Sequence, residues 1–303
     1  MVGDITRYLQ IWTAVGKDAP NLETDVGHIQ VLIRLSVSGR GAPTPIDCKS
    51  GPSLVDAISA FQRDTMKIAP DGRVEPASKT FRALLDQAMP RIADATRMPA
   101  GSLHRAHLKD ADFAQAAKTL GCTPEAIKAV SEVESHGAPF LRSGKPKILF
   151  EPHVFGKLTD HQYDKAFPEV SRRQQLHRGH GVHDYGSVED QWDKLRLAAV
   201  LDRIAAVEAA SWGRFQVLGI NWKDTGAASL DAFLNIMFTS EKSQLDGFVT
   251  FVKHRKLDQA LIHLNWRAFA YGYNGPKFHG QNYDGKIAQK YRELVHRSAL
   301  ARI

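Results

Sequence analysis

Apolar residues recur at helical spacing in one segment of the chain after another, whereas the strict alternation typical of a half-buried strand is almost absent. In residues 54–61 and again in residues 113–120, apolar side chains stand at positions i, i+3, i+4 and i+7. This periodicity puts them on one face of a helix. The pattern therefore predicts a mainly α fold, and 303 residues are enough for one large domain or two ordinary ones.

The chain is basic, with a net charge of +7 and an isoelectric point near 9.3. Such a charge attracts polyanions, which include nucleic acids, anionic lipids, teichoic acids and bacterial cell wall. The Lys and Arg residues are dispersed and no nucleic-acid-binding motif accompanies them, so we expect no nucleic-acid partner. The basic, partly amphipathic residues 287–303 can approach anionic lipid or pack on their own domain, and we expect no stable membrane insertion.

The sequence predicts neither a membrane span nor an export signal. No run approaches 18 apolar residues, and the first residues lack the basic and apolar regions of a signal peptide. We therefore expect synthesis in the cytoplasm. Cys48 and Cys122 fall in different predicted domains, so we expect no disulfide framework.

Composition divides the chain into three parts. Residues 1–92 carry short amphipathic segments separated by turns, which predicts a small helical bundle. Residues 93–107 contain Met-Pro-Ala-Gly and are predicted to be a linker, because Pro and Gly end helices. Residues 108–303 are predicted to form a second helical domain. Its predicted helices include residues 191–210, 215–220 and 241–254.

A short predicted helix in the second domain carries a glutamate on its packed face. Thr123 is suited to be its N-cap, and a proline follows at the first helical position. Ile127, Val130 and Glu134 stand at i, i+3 and i+7, so Glu134 faces inward whereas Glu132 points the other way. Desolvation raises the pKa of a carboxyl toward a value suited to proton donation. Glu134 is thus a candidate general acid, the alternative being an ordinary solvated or capping residue.

Two later motifs accompany this glutamate, namely Ser-Trp-Gly-Arg-Phe-Gln at residues 211–216 and Tyr-Asn-Gly-Pro at residues 273–276. The order Glu-Ser-x-Gly, Ser-x-Gly-x-x-Gln, Tyr-Asn-Gly resembles goose-type lysozymes and lytic transglycosylases. Together with Phe-Leu at residues 140–141 and Ile-Leu-Phe-Glu at residues 148–151, the set more closely resembles the N-acetylmuramidase family of modular phage endolysins. The resemblance covers roughly residues 108–290.

This resemblance implies a lysozyme-like helical catalytic domain that cleaves the β-1,4 bond between N-acetylmuramic acid and N-acetylglucosamine. The partner is then bacterial peptidoglycan, and no cofactor is implied. Glu134 matches the catalytic acid. Glu151 matches the family's second glutamate and serves either as the second carboxylate or as a residue that orients others by hydrogen bonding. The resemblance also implies that Tyr273 lies beside the catalytic glutamate.

Five residues of the two later motifs are candidates for substrate binding: Ser211, Trp212, Gln216, Tyr273 and Asn274. Trp212 offers an apolar face to a sugar, and the alternative is a core tryptophan at a structural turn. Gln216 is able to hydrogen-bond an N-acetyl group or a catalytic water. Tyr273 and Asn274 precede a glycine bend, which allows close approach of the backbone in a cleft wall.

The first domain has a resemblance of its own. The order Val-x-x-Ile-Gln-x-Leu, Ala-Ile-x-x-Phe-Gln, Asp-Gly-x-Val, Thr-x-x-x-Leu, over about residues 24–86, is similar to the peptidoglycan-binding domain that precedes many wall hydrolases. The usual Asp-Gly-x-x-Gly is replaced by Ile-Asp-Cys-Lys-Ser-Gly at residues 46–51, which leaves the contacting residues open. A bundle that docks on its neighbour or on a delivery machine is the alternative.

The residues leave other functions open. A lytic transglycosylase would use the same acid, with the sugar's own 6-hydroxyl displacing the leaving group to form a 1,6-anhydro end. A secreted antibacterial effector would have the same activity and a dedicated immunity protein. A wall-binding protein without activity would not need these polar residues intact. In each case the protein acts on the cell wall, in the periplasm, after release or delivery.

A zinc peptidase is a further alternative, because His177, His180, His183 and Asp184 are close together in the sequence. A His-x-x-His-x-x-His series in a Gly-containing loop is not a metalloprotease signature, and no His-Glu-x-x-His occurs. We therefore predict no metal at the site.

Overall fold

The computed structural model describes residues 5–36, 45–101, 106–135, 137–175, 186–275 and 282–300. Within these ranges helices predominate and the strands are short, so the predicted mainly α class is confirmed. The α-helices of the described residues are α1 (Glu23–Ser36), α2 (Pro52–Ala60), α3 (Lys79–Ala95), α4 (Asp110–Leu120), α5 (Pro124–Ser135), α6 (Pro152–Leu158), α7 (Val188–Leu201), α8 (Arg203–Glu208), α9 (Leu230–Thr239), α10 (Glu241–His254), α11 (Asp258–Ile262), α12 (Trp266–Asn274) and α13 (Tyr283–Leu300).

Shorter elements connect these helices. The strands of the described residues are β1 (Val15–Gly16), β2 (Arg73–Val74), β3 (Ile148–Phe150), β4 (Ala210–Trp212) and β5 (Val217–Leu218). Short 3-10 helices are formed by Ile5–Leu9 and Gly219–Thr225, and α2 continues into a π-helical turn at Phe61–Thr65. None of the described helices is long and apolar enough to cross a membrane.

Contacts divide the chain into two compact units. Unit 1 comprises Met1–Arg97 and Phe150–Ala209, and unit 2 comprises Met98–Leu149 and Ala210–Ile303. The division differs from the boundaries drawn from the sequence, because residues 150–209 are grouped with the N-terminal helices. Helix α3 also continues to Ala95, past the expected start of a linker at residue 93. A wall-binding domain at residues 1–92, a linker at 93–107 and a catalytic domain at 108–303 stay predictions.

Unit 1 is held by helix packing. Helix α1 packs on α3, and α3 packs on α7. The buried apolar side chains of α1 and α3 include Val26, Ile29, Leu32, Ile33, Phe81, Leu84, Ala88 and Ile92. Each of the larger ones contributes about 1.5–3 kcal/mol when fully buried. Arg34 of α1 donates to the carbonyl of Leu201 at 3.0 Å, which joins the N-terminal helices to the end of α7.

The turn between α2 and α3 is organised by a buried glutamine. Gln62 is 1% exposed, and its Nε2 donates to Oδ1 of Asp71 at 2.6 Å. Its Oε1 accepts the backbone N–H groups of Asp71 and Gly72, each at 3.0 Å. The chain then enters β2, which pairs antiparallel with β1. The Phe-Gln and Asp-Gly parts of the N-terminal motif are therefore joined by structural hydrogen bonds.

Unit 2 is held together by helices that pack on α5 and α10. Helix α5 packs on α4 and α13, α10 packs on α4 and α9, and α12 packs on α11 and α13. Buried side chains of this unit include Ile127, Val130, Phe233, Leu234, Met237, Phe248, Phe251, Phe269 and Ile287. Strands β3, β4 and β5 form a small sheet in that order, and β4 pairs antiparallel with β5. Within unit 2, this sheet brings residues 148–149 beside the 211–216 motif.

Two predicted helices are wrong. Residues 191–210 do not form one helix, because Asp202 is extended (φ −155°, ψ 107°) between α7 and α8 and its side chain accepts the N–H of Ala205 as an N-cap. Residues 215–220 do not begin a helix, because Gln216 has a positive φ of 49° and Val217 pairs with Trp212 in a hairpin. In both places a local polar cap or a strand partner outweighs helical periodicity.

Candidate active site

Helix α5 carries Glu134 in its last turn. The predicted cap is present, because Oγ1 of Thr123 accepts the N–H of Ala126 at 3.3 Å. Glu134 is 7% exposed, and Glu132, on the other side of the helix, has an exposed carboxylate 3.5 Å from Nζ of Lys290. The inward direction predicted for Glu134 and the outward direction predicted for Glu132 are therefore present in the structure.

A hairpin follows the helix. Phe140 and Pro146 form an antiparallel bridge, and the N–H of Lys147 donates to the carbonyl of Pro139 at 2.7 Å. The carbonyl of Lys147 accepts the N–H of Gly213 at 2.8 Å. The end of this hairpin is thus joined to the motif at residues 211–216, which we call the SWGRFQ turn.

The SWGRFQ turn packs tightly on helix α10. Gly213 has φ +68°, and a Cβ at this position would lie 2.6 Å from Cδ of Gln244. Gln244 is 1% exposed; its Oε1 accepts the N–H of Arg214 at 2.8 Å, and its Nε2 donates to the carbonyl of Met237 at 2.7 Å. Glycine is therefore required at position 213 both by the backbone angle and by the lack of space.

The three predicted binding residues of the SWGRFQ turn differ in their surroundings. Ser211 is partly exposed and pairs with Leu218 in the hairpin. Gln216 is partly exposed, and its Nε2 donates to the carbonyl of Gly213 at 2.8 Å. Trp212 is fully buried, with ring contacts to Phe233 and Phe238 at centroid distances of 6.1 and 6.3 Å.

Burial therefore favours the core alternative for Trp212. A ring enclosed by other aromatic side chains does not present its face to a sugar. Ser211 and Gln216 retain exposed surface, so their role in substrate binding stays a prediction.

Helix α12 supplies Tyr273 and Asn274. The Tyr273 hydroxyl donates to the carbonyl of Phe215 at 2.5 Å, and its ring stacks on Phe269 at a centroid distance of 5.3 Å. Burial raises the pKa of Tyr273 well above its usual value, and the charge of Glu134 raises it further. The phenol therefore stays protonated. Asn274 is exposed, and its Nδ2 donates to Oε1 of Glu134 at 3.3 Å.

Sequence reasoning missed a buried ion pair in this region. Nε and Nη2 of Arg214 donate to Oε2 of Glu241 at 3.0 and 2.5 Å, and Glu241 is 2% exposed. Nη1 of Arg214 donates to Oγ of Ser131, which lies on α5. The available signal was Arg214 itself, which is the one charged residue among residues 209–222 of the sequence.

The remaining predicted residues belong to the other unit or fall outside the described residues. Glu151 belongs to unit 1, where it is the N-cap of α6; its N–H donates to the carbonyl of Ala209 at 2.9 Å, and its side chain is 14% exposed. The His-rich segment at residues 177–184 lies outside the described residues. Within the described part of the chain, no three His, Cys, Asp or Glu side chains are grouped as metal ligands, which leaves the expectation of a metal-free site untested.

Six of the seven predicted residues thus belong to unit 2, with Asn274 in direct contact with Glu134. Comparisons with known proteins bear on the family of the chain. A family model described as Muramidase, N-acetylmuramidase, matches residues 123–295. The crystal structure of the Burkholderia AP3 phage endolysin is similar, with a TM-score of 0.55 and 30% sequence identity over 95% of this chain and 100% of that chain. No curated protein sequence matches significantly.

The helical fold and these matches together define a glycoside hydrolase that acts on peptidoglycan. Within that class, the chain belongs to the N-acetylmuramidase family, because the family match covers more than half of it. The resemblance of the catalytic region and the wall-degrading function predicted from the sequence are confirmed. The roles of the individual site residues are not tested by these matches.

Proposed function

We propose that the chain hydrolyses the β-1,4 bond between N-acetylmuramic acid and N-acetylglucosamine, with Glu134 as the proton donor. One observation carries the assignment: Glu134 is 7% exposed at the end of a helix and has the amide of Asn274 against its carboxylate. Glycosidic cleavage needs a proton on the leaving oxygen, and an acid in a water-poor setting is suited to provide it.

In the proposed reaction, the proton of Glu134 goes to the oxygen that links the two sugars, and the bond from that oxygen to the anomeric carbon breaks. A water molecule adds its hydroxide to the anomeric carbon and gives up its proton. Asn274 orients the carboxyl of Glu134 by its hydrogen bond. Tyr273 holds the SWGRFQ turn beside α12, because its hydroxyl donates a hydrogen bond to the carbonyl of Phe215.

Glu151 is the candidate for the second carboxylate, which accepts the proton of the water or stabilises positive charge on the sugar. Ser211 and Gln216 are candidates for contacts with the sugar or the water, supported by their partial exposure. If the two carboxyl groups act on opposite faces of the sugar with a water between them, inversion is expected, and a separation of about 6.5–9.5 Å is typical.

The test is mass spectrometry of the soluble muropeptides released from purified peptidoglycan by the wild type and by Glu134→Gln. We expect reducing muramic acid ends from the wild type and a loss of about 10²–10⁴ in rate in the variant. Glu132→Gln is the matched control, because it makes the same change on the exposed side of α5, and its rate should stay near that of the wild type. Anhydro ends would show a lytic transglycosylase, and full activity of Glu134→Gln would refute the assignment.

We further propose that residues 1–92 bind the cell wall and raise the effective substrate concentration at the catalytic residues. An exposed aromatic ring supports this, because Trp12 is 82% exposed and such rings are suited to contact sugars. Co-sedimentation of full-length Glu134→Gln protein with insoluble peptidoglycan, with and without Trp12→Ala, tests it. Ile204→Ala, at a 63% exposed apolar residue of the same unit, is the control. Equal binding of all three would exclude Trp12 from wall binding.

We also propose that the protein acts as an endolysin, at the cell wall after release from the cytoplasm. The similarity to a phage endolysin over 95% of the chain supports this setting.

A further inference from the structure

Arg214 links the SWGRFQ turn to the helix that carries the proposed acid. Its Nη1 donates to Oγ of Ser131 at 3.1 Å. Ser131 is 1% exposed and lies three residues before Glu134, so the two side chains share a face of α5 one turn apart. The contact therefore reaches α5 immediately next to the turn that carries Glu134.

A second buried group holds the Arg214 side chain in place. Nε and Nη2 of Arg214 both donate to Oε2 of Glu241, and Oε1 of Glu241 lies 2.9 Å from Nδ1 of His107. The side chains of Arg214 and Glu241 are 16% and 2% exposed. The guanidinium group is planar and its N–H groups have fixed directions, so the pair with Glu241 also determines where Nη1 points.

The other elements of the site are already connected to one another. Tyr273 of α12 donates to the carbonyl of Phe215 in the SWGRFQ turn, and Asn274 of α12 donates to Glu134. The bond from Arg214 to α5 completes a closed set of contacts among the turn, α12 and α5.

We infer that Arg214, oriented by Glu241, is a positioning residue for Glu134. It fixes the last turns of α5 against the SWGRFQ turn, so that the carboxyl is held at the angle that proton transfer requires. The inference rests on the proposed role of Glu134. A buried ion pair is weak evidence for added stability, because desolvation offsets the attraction, whereas a role in geometry fits a guanidinium that contacts two elements at once.

Two variants test the inference without leaving a buried charge unpaired. Ser131→Ala removes the acceptor on α5, keeps the pair of Arg214 with Glu241 and favours the helix. Arg214→Lys keeps a positive charge for Glu241, but a single ammonium group lacks the planar fork that reaches both partners. In both variants we expect kcat for release of dye-labelled peptidoglycan to fall roughly 10–100-fold with KM changed less than about two-fold, the signature of misplaced catalytic geometry.

Thr225→Val is the matched control. Thr225 is 3% exposed, and its hydroxyl donates to the carbonyl of Trp222 at 2.7 Å, so the variant also removes a buried hydroxyl bond in unit 2 but one that does not involve α5. We expect wild-type kcat in this control, and a Tm for Ser131→Ala no lower than the control's. The same loss of kcat in Thr225→Val, or a rise in KM alone in Ser131→Ala, would overturn the inference.

Measuring Glu134→Gln alongside these variants distinguishes a failure of the proposed function from a failure of the positioning role of Arg214. Activity retained in Glu134→Gln would refute the proposed function itself. An inactive Glu134→Gln next to a Ser131→Ala protein with wild-type kcat would refute only the positioning role of Arg214.

Discussion

Gly213→Ala is expected to destabilise unit 2 and to displace the SWGRFQ turn. Gly213 has φ +68°, and the new Cβ would lie 2.6 Å from both Cδ and Oε1 of Gln244. A flexible side chain end could normally move aside. Gln244 is 1% exposed, and its amide is hydrogen-bonded to the N–H of Arg214 and to the carbonyl of Met237. Moving this amide therefore breaks both hydrogen bonds.

The magnitude follows from these two effects. Alanine in the left-handed region costs about 1–2 kcal/mol. Loss of the two hydrogen bonds of Gln244 costs about 0.5–1.5 kcal/mol each. We therefore expect the free energy of unfolding to fall by about 2–5 kcal/mol in Gly213→Ala.

Gly121→Ala is the matched control for the backbone effect. Gly121 has φ +74° at the end of α4, and its nearest neighbour, Cδ1 of Ile262, would be 3.4 Å from a Cβ, which is ordinary contact. Only the backbone cost of about 1–2 kcal/mol is expected there. Urea denaturation of both full-length variants, followed by tryptophan fluorescence, measures the difference.

Wall-lysis rates complete the comparison. Gly213→Ala should also lose kcat, because Arg214 and Gln216 move with the turn, whereas Gly121→Ala should keep it. Equal destabilisation by the two variants would refute the argument that Gln244 leaves no space at position 213.

Three further predictions concern single groups. Tyr273→Phe keeps the stacked ring but leaves the carbonyl of Phe215 without its hydrogen-bond donor. Urea denaturation should therefore show that the free energy of unfolding falls by about 1–3 kcal/mol. An unchanged midpoint would contradict a stabilising role of this hydrogen bond. Asn274→Asp replaces an amide donor 3.3 Å from Glu134 with a second carboxyl, whose charge disfavours ionisation of the acid. The alkaline limb of the pH profile of kcat/KM should therefore move to higher pH, and an unmoved limb would argue against Glu134 as the acid. Burial raises the pKa of Cys122 from 9.0 to about 11, so the reactive thiolate is scarce at pH 8. Iodoacetamide should therefore modify Cys122 roughly 100-fold more slowly in the folded protein than in urea. Equal rates would show that the thiol is accessible and ionises as in the unfolded chain.

The local features of the site could be read from the sequence. The Thr123 cap, the inward direction of Glu134 and the limits of α10 at Glu241 and His254 all follow from helical periodicity and capping, which involve residues a few positions apart. The family resemblance rests on short motifs, whose order and spacing can be recognised in the sequence without the structure.

The end of α7, the strand at Val217 and the burial of Trp212 could not be predicted from apolar periodicity and motifs. The end of α7 at Leu201 depends on the Asp202 cap, and the strand at Val217 depends on pairing with Trp212. The apolar face of Trp212 is equally suited to a sugar and to a core. Its burial is decided by Phe233 and Phe238, which come later in the chain.

By itself, then, the sequence determined the helical class, the face on which Glu134 lies and the family to which the chain belongs, because periodic and motif signals are local. Only the tertiary structure decided which distant groups meet these residues: Asn274 at Glu134, Gln244 under Gly213, and Arg214 between Ser131 and Glu241. The physical reason is that a pattern of apolar residues specifies that a face must be covered. Which element covers it depends on how side chains remote in the chain pack together and on which buried polar groups find partners.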